Sequence, residues 1–252
     1  MSIPEIRIIG IPGIPIVTPG MDLAAVIHDA ATASQVAFEA GDVLVVTQKI
    51  VSKAENCLIY LKDVTPSPFA EAFARQWDKD PRKVEAVLHQ SCRIAKMDRG
   101  VLIAETHHGF VCANAGLDES NMDGEDVVAV LPPDPDASAR RIRQGLKARS
   151  GHDIAVIICD TFGRPWRAGL VNVAIGLSGI EAVLDYTGQH DAQGYELRVT
   201  ALAIADELSS AAELVMNKLD NVPVALIRGY DYPRGEGNLA DLNREPESDL
   251  FR

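Results

Sequence analysis

The sequence lacks a GxxxxGK[ST] loop and any Gly-rich dinucleotide fingerprint, which excludes a P-loop nucleotide site and argues against a Rossmann one. No Ser or Cys sits in a GxSxG elbow, so covalent hydrolase chemistry is not expected. Cysteine is sparse and scattered. Cys57, Cys92, Cys112 and Cys159 form no CxxC pair, which removes a zinc ribbon and a disulfide-stapled scaffold from consideration. Cys112 and Cys159 lie inside apolar runs and are expected as buried, inert thiols. The charge-free stretch 168–180 contains Asn172 and three glycines and is shorter than the ~20 residues that a membrane helix needs. The amino-terminal segment is apolar but carries Glu5 and Arg7 and is broken by Pro4, Pro12 and Pro15, unlike a signal peptide, so a cytoplasmic location is expected. Adjacent His107 and His108 would face opposite sides of a strand and are not expected to share a metal.

Positive charge is also in deficit. Lys and Arg number 24 against 36 Asp and Glu, a formal charge of −12 that repels a phosphate backbone and makes a nucleic-acid partner unexpected. What is present is ordinary globular composition, 47% hydrophobic and 24% charged over 252 residues, which allows one large unit or two intertwined lobes.

Residues 6–9 and 42–47 (DVLVVT) read as strands, and residues 22–38 between them carry Leu23, Val26, Ile27, Ala30 and Ala31 at helical spacing. Ser67-Pro68 and Asp80-Pro81 each place a capping side chain before a proline at the first helical position, predicting helices over 68–77 and 81–90. Residues 92–130 form four short β-like runs separated by glycine-containing turns and predict antiparallel hairpins. Asp136 is expected to cap a helix over 137–149 that stops at Gly151, followed by a buried strand over 154–159 (IAVIIC). Residues 181–186 and 223–227 read as strands, 200–219 as a helix, and 235–252 as a carboxy-terminal arm. The pattern is α+β or mixed α/β, with mixed sheets and antiparallel hairpins packed by helices.

The segment with most chemical content runs from Asp160 to Arg167 (DTFGRPWR), where a carboxylate and a hydroxyl emerge from a buried strand into a loop with two arginines. Asp160 and Thr161 are hard oxygen donors suited to Mg²⁺ or Mn²⁺, and Arg164 and Arg167 suit phosphate or carboxylate oxygens. The same residues also fit a capped turn with surface ion pairs. Asp118 and Asn121 stand in a second oxygen-rich loop, with Gly116 free to take a positive φ. If the two loops meet, a two-carboxylate cation site results; if not, this is a solvated turn. Lys49 and Lys53, spaced i, i+4 after a strand, read as phosphate contacts or as a basic turn, and Arg228-Gly229 is a weaker hint.

At these residues the chain resembles the coenzyme F-420:L-glutamate ligase family, the γ-glutamyl ligases of deazaflavin coenzyme synthesis. The matching motifs are GIPIVTPGMDL (13–23), GDVLVVTQKIVSKAEN (41–56), GFVCANAGLDESN (109–121), LPPDPDASARRIR (131–143), DTFGRPWRAGLVNVAIG (160–176) and DLFR (249–252). The resemblance implies a homodimeric enzyme that uses GTP and Mg²⁺ or Mn²⁺ to join L-glutamate to a deazaflavin coenzyme precursor, and allows for a monovalent cation such as K⁺. It puts metal ligands at Asp118, Asp160 and Thr161. Nucleotide contacts fall on Ile14, Pro15, Ile16, Val17, Gln48, Lys49, Lys53 and Asn121, and on the loop containing Met216, Asn217, Lys218, Asp220 and Asn221. The family usually has Gly where Asn217 and Asn221 stand, and Asn tolerates left-handed angles but fills the space a phosphate would use. The implied mechanism passes through an acyl phosphate. Lys53 and one of Arg164 or Arg167 offset charge on the leaving oxygen, and Trp166 either stacks on a substrate ring or lies in the core. Two alternatives stay open: the same chemistry on another carboxylate acceptor, and a nucleotide or metal binder that no longer turns over.

Overall fold

The computed structural model describes residues 3–119, 126–245, 247 and 249. Its centre is a mixed five-stranded sheet in the order β1 (Arg7–Gly10), β12 (Val224–Arg228), β2 (Val43–Thr47), β8 (Ala155–Arg164), β9 (Arg167–Ser178). Only β2 and β8 run parallel, with Val43 opposite Ala155 and Thr47 opposite Cys159; the other neighbours in this sheet are antiparallel. The central strands are continuously apolar because both faces are covered. Leu44, Val46, Val156, Ile158, Val224 and Leu226 pack into one core, beneath α1 (Leu23–Ala33), α2 (Gln48–Ala54) and α5 (Pro135–Ser150). Val43, Val45, Ala155, Ile157, Ala225 and Ile227 pack into the other, against α6 (Ile204–Met216).

The chain between β2 and β8 builds a smaller second layer. Strands β4 (Ser91–Asp98), β5 (Val101–Thr106) and β6 (Val111–Ala113) form an antiparallel sheet. Helices α3 (Pro68–Trp77) and α4 (Pro81–His89) contribute to its core, with Ser67 and Asp80 capping them and proline at the start of each, as the sequence predicts. The fourth β-like run departs from the hairpin series. As β7 (Val127–Ala129), it pairs with β3 (Leu58–Tyr60), and a bridge joins Ala129 to Asp118. The last short strands, β10 (Leu184–Asp185) and β11 (Ala201–Leu202), pair with each other.

Two local expectations need correction. The cap of α5 is Asp134, whose carboxylate accepts from the Ala137 N–H, with Pro135 beginning the helix. Asp136 instead accepts from the Leu177 and Leu239 N–H groups, tying α5 to β9 and to the segment after β12. Gly151 terminates α5 in a left-handed conformation, as expected. The second correction concerns residues 160–167, which form a hairpin rather than a loop. Pairing continues through Asp160–Val173, Thr161–Asn172 and Phe162–Val171 to Arg164–Arg167, with Pro165-Trp166 as the turn. Polarity begins at Asp160 because the strand leaves the core there, not because it ends.

Cys112 and Cys159 are buried, as expected. Burial pushes the Cys112 thiol up to about 12 and raises that of Cys159 further. Cys92 is exposed, its sulfur 3.0 Å from His107 Nδ1. Within residues 235–245, Leu239 is buried in the first core. Among the described residues no helix is long and apolar enough to cross a membrane.

A close helix-to-sheet approach depends on Gly176, where an added Cβ would lie 2.5 Å from the Pro135 carbonyl carbon and 2.7 Å from its oxygen. Because backbone cannot swing aside as a flexible side chain does, Gly176→Ala is expected to lower stability by about 1–3 kcal/mol in urea unfolding.

Candidate active site

The parallel pairing of β2 and β8 brings the carboxyl end of β2 beside the end of the buried part of β8, the usual region for a ligand site in an open sheet. The chain leaving β2 enters α2, where Lys49 is half-buried. The chain leaving the buried part of β8 presents Asp160 and Thr161. Asp118 arrives from the second layer, held by reciprocal backbone hydrogen bonds with Ala129 of 2.9 and 3.0 Å. Lys49 Nζ lies 3.1 Å from Asp118 Oδ2, both side chains about three-quarters buried. Asp118 is also close enough to Asp160 for its charge to act on that carboxyl, so the two segments singled out by sequence meet.

The approach to Asp118 is strained. Asn114, Ala115 and Gly116 take successive positive φ values of 51°, 52° and 70°, and Ala115 is buried. Left-handed angles at a residue bearing Cβ cost free energy and recur where the chain must aim a functional group. Phe110, just before β6, packs edge-on against Phe162 at 5.6 Å, joining this layer to the hairpin.

Asp160 is half-buried, and burial raises its carboxyl from 3.8 to about 6. The Asp118 charge contributes to that rise, while the Thr161 N–H at 2.8 Å and the Lys218 and Lys49 ammoniums offset part of it. With Lys218 paired to Glu213, two carboxylates and the Lys49 ammonium leave a deficit of positive charge, and a divalent ion with hard oxygen ligands suits that deficit. Among the described residues no three His, Cys, Asp or Glu side chains converge, so such an ion would take its remaining ligands from substrate oxygens and water.

Next to this pair lies a network in which two members, Asn172 and Glu213, were not anticipated. Lys218 Nζ donates to Thr161 Oγ1 at 2.6 Å and lies 2.9 Å from Glu213 Oε1. The Thr161 hydroxyl donates to Asn172 Oδ1 at 2.7 Å, and Asn172 Nδ2 donates to Glu213 Oε2 at 2.8 Å. The signal for Asn172 was its position as the lone polar side chain inside an apolar strand, since a buried amide must find partners. Glu213 had no comparable signal, because an acidic residue on a helix is ordinarily a solvated one.

The other expected residues separate into groups. Lys53 lies one turn beyond Lys49 on the same helix and is half-buried. Gln48 is buried, and its amide is used on Ser52 Oγ and the Val130 carbonyl, bracing α2 against the second layer. Of the segment Ile14 to Val17, Val17 is in the core, Ile14 packs against it, and Pro15 and Ile16 are exposed. The Gly20 N–H bonded to the Ala54 carbonyl ties that segment to the end of α2. Met216 is buried in the second core, leaving only its backbone for a ligand. Asn217, Lys218, Asp220 and Asn221 are exposed, and Asn121 lies outside the described residues.

Arg164 and Arg167 sit at the hairpin tip, and four residues of strand place Arg164 about 13 Å from Asp160. Arg164 Nη2 donates to the Ala168 carbonyl at 2.7 Å, while its Nε is buried with no hydrogen-bond partner among the described residues. Trp166 is 81% exposed and so lies outside the core. Arg228 is used structurally, on Asp42, Glu39 and the Ala37 carbonyl.

The F420-0:gamma-glutamyl ligase family pattern matches residues 13–229. The chain belongs to that family. It is 44% identical to the coenzyme F420:L-glutamate ligase of Methanothermobacter thermautotrophicus over 98% of this chain and 99% of that one. It is 44% identical to the Methanopyrus kandleri protein of the same name over 100% and 99% of the two chains, and 38% identical to the Archaeoglobus fulgidus one over 98% and 97%. Family membership makes this chain a ligase.

Two outcomes are expected from these energetics. A folded-state pKa near 6 against 3.8 unfolded means that the fold binds the Asp160 proton more tightly, so stability falls as pH rises from about 4 through about 6. In chelator, Asp160→Asn is therefore expected to exceed the parent by about 1–3 kcal/mol in thermal unfolding at pH 8, with the advantage vanishing below pH 4. Asn217 has φ 49° and ψ −177°, a region natural to glycine, and Asn221 has φ 54°. Asn217→Gly removes the strain but also the 2.7 Å bond to Asp220, and a net gain of about 1 kcal/mol is expected by the same measurement.

Proposed function

We propose that this protein is a GTP- and divalent-cation-dependent ligase that adds L-glutamate to the deazaflavin precursor of coenzyme F-420 through an acyl phosphate. The observation that carries the reading is the convergence of Asp118, Asp160, Lys49 and Lys218 at the ends of β2 and β8 in a chain of this family. A free carboxylate is a poor acyl donor. Its oxygen attacks the γ-phosphorus, GDP leaves, and the glutamate nitrogen then attacks the acyl carbon, expelling phosphate and losing a proton to form the amide.

Each part of the site has work in that sequence. Asp118 and Asp160, with Thr161, are the oxygen donors for Mg²⁺ or Mn²⁺, which when bound neutralises triphosphate oxygens and raises the electrophilicity of the γ-phosphorus. Lys49 and Lys53, on one face of α2, are assigned to the phosphates, together with Lys218 from the loop after α6. The exposed backbone at Pro15 and Ile16 and at Asn217, Asp220 and Asn221 is assigned to the rest of the nucleotide. Arg164 and Arg167, about 13 Å along the strand from Asp160, suit anionic substrate groups away from the transferred phosphoryl. Exposed Trp166 on the same tip offers a face for stacking.

A cytoplasmic homodimer and a monovalent cation such as K⁺ belong to the same proposal. The dimer has support in the projecting hairpin, where Trp166 and Leu170 expose apolar surface.

The test is mass spectrometry of the deazaflavin precursor after incubation with the protein, L-glutamate, GTP and Mn²⁺. Glutamyl additions are expected with the parent and a fall in rate on the order of 10²-fold or more with Asp160→Asn or Asp118→Asn. Additions that persist at the parent rate in both variants would overturn the assignment of the carboxylates. An unchanged precursor, with another carboxylate acceptor consumed instead, would overturn the acceptor.

A further inference from the structure

Thr161, Asn172, Glu213 and Lys218 form a closed ring. Lys218 donates to Thr161 and pairs with Glu213, Thr161 donates to Asn172, and Asn172 donates to Glu213, with contacts of 2.6–2.9 Å throughout. Asn172 is 1% exposed and lies opposite Thr161 in the β8–β9 register, so two members are fixed by the sheet. Glu213 is held by α6, and Ser210 on the same helix donates to the Asn172 carbonyl at 2.7 Å. The ring carries one positive and one negative charge and is neutral in itself. The neighbouring set of Asp118, Asp160 and Lys49 is short by one positive charge. The Thr161 hydroxyl gives its hydrogen to Asn172 and accepts from the ammonium, so a divalent ion on the same oxygen would have to displace Lys218 and leave its charge without Glu213 and Thr161.

We propose that the Lys218 ammonium is a built-in cation that occupies the Thr161–Glu213 position, so that this chain binds a single divalent ion, on Asp118 and Asp160. This inference rests on the ion-binding reading above and narrows it by removing Thr161 from the ligand set. The ammonium cannot dissociate, so its positive charge facing the phosphates is independent of the ion concentration. Lys218 is a positioning and charge-supplying residue whose loop is set by the left-handed Asn217.

Equilibrium dialysis of Mn²⁺ with GDP in both chambers tests this by counting ions per chain, thermal unfolding serving as the check on folding. The parent is expected to hold one ion, Lys218→Arg one, and Lys218→Ala two, because deletion of the ammonium frees the Glu213 carboxylate and the Thr161 hydroxyl. Asp160→Asn is expected to lose the parent's single ion. Two ions on the parent, or one on a folded Lys218→Ala, would overturn the built-in cation while leaving the Asp118–Asp160 site standing. No ion on the parent would overturn the ion-binding reading itself and this inference with it.

Discussion

The parallel contact between β2 and β8 is the constraint on which the rest of the structure depends. A parallel pair cannot be closed by a tight turn, so the chain must travel away and return before β8 can form. That excursion contains the whole second layer, with α3, α4, the β4–β5–β6 sheet and the β3–β7 pair. It also delivers Asp118 to the edge where β2 and β8 end. Scaffold and site are thereby coupled: the residues that lengthen the crossover are those that complete the constellation.

Electrostatics gives the site its character. The chain is strongly acidic overall, yet Lys49 and Lys218 gather near Asp118 and Asp160. This placement offsets a global field that would repel a triphosphate and other anionic substrates. Burial, with the Asp118 charge beside it, raises the Asp160 pKa, which costs stability in the absence of a cation and favours its capture. Such an arrangement exchanges folding free energy for ligand affinity, since the same mutation that removes the ion site is expected to stabilise the empty protein.

Backbone strain is present on both loops that flank this centre. Asn114 and Ala115 before Asp118, and Asn217 before Lys218, all take left-handed angles despite carrying a Cβ. Each precedes a charged side chain aimed at the same region, and each is braced by something rigid: the Asp118–Ala129 bridge in one case and the end of α6 in the other. Asn217 attains a backbone conformation natural to glycine, at the cost of strain offset by its hydrogen bond to Asp220.

Helix boundaries set by Ser67-Pro68, Asp80-Pro81 and Gly151, the buried strands and the mixed α+β character were readable from sequence, because capping, proline geometry and apolar runs act over a few residues. So were the oxygen donors at Asp118, Asp160 and Thr161, whose chemistry is intrinsic to the side chain. Pairing was not readable in the same way. That β7 joins β3, that residues 160–167 are a hairpin, and that Arg164 stands far from Asp160 follow from which strands meet, a long-range matter that a local pattern does not encode. The ring joining Lys218 to Thr161 is the clearest case. Its members are separated by as many as 57 positions, and only the packing of α6 across β9 decides that an ammonium, a carboxylate, an amide and a hydroxyl satisfy one another.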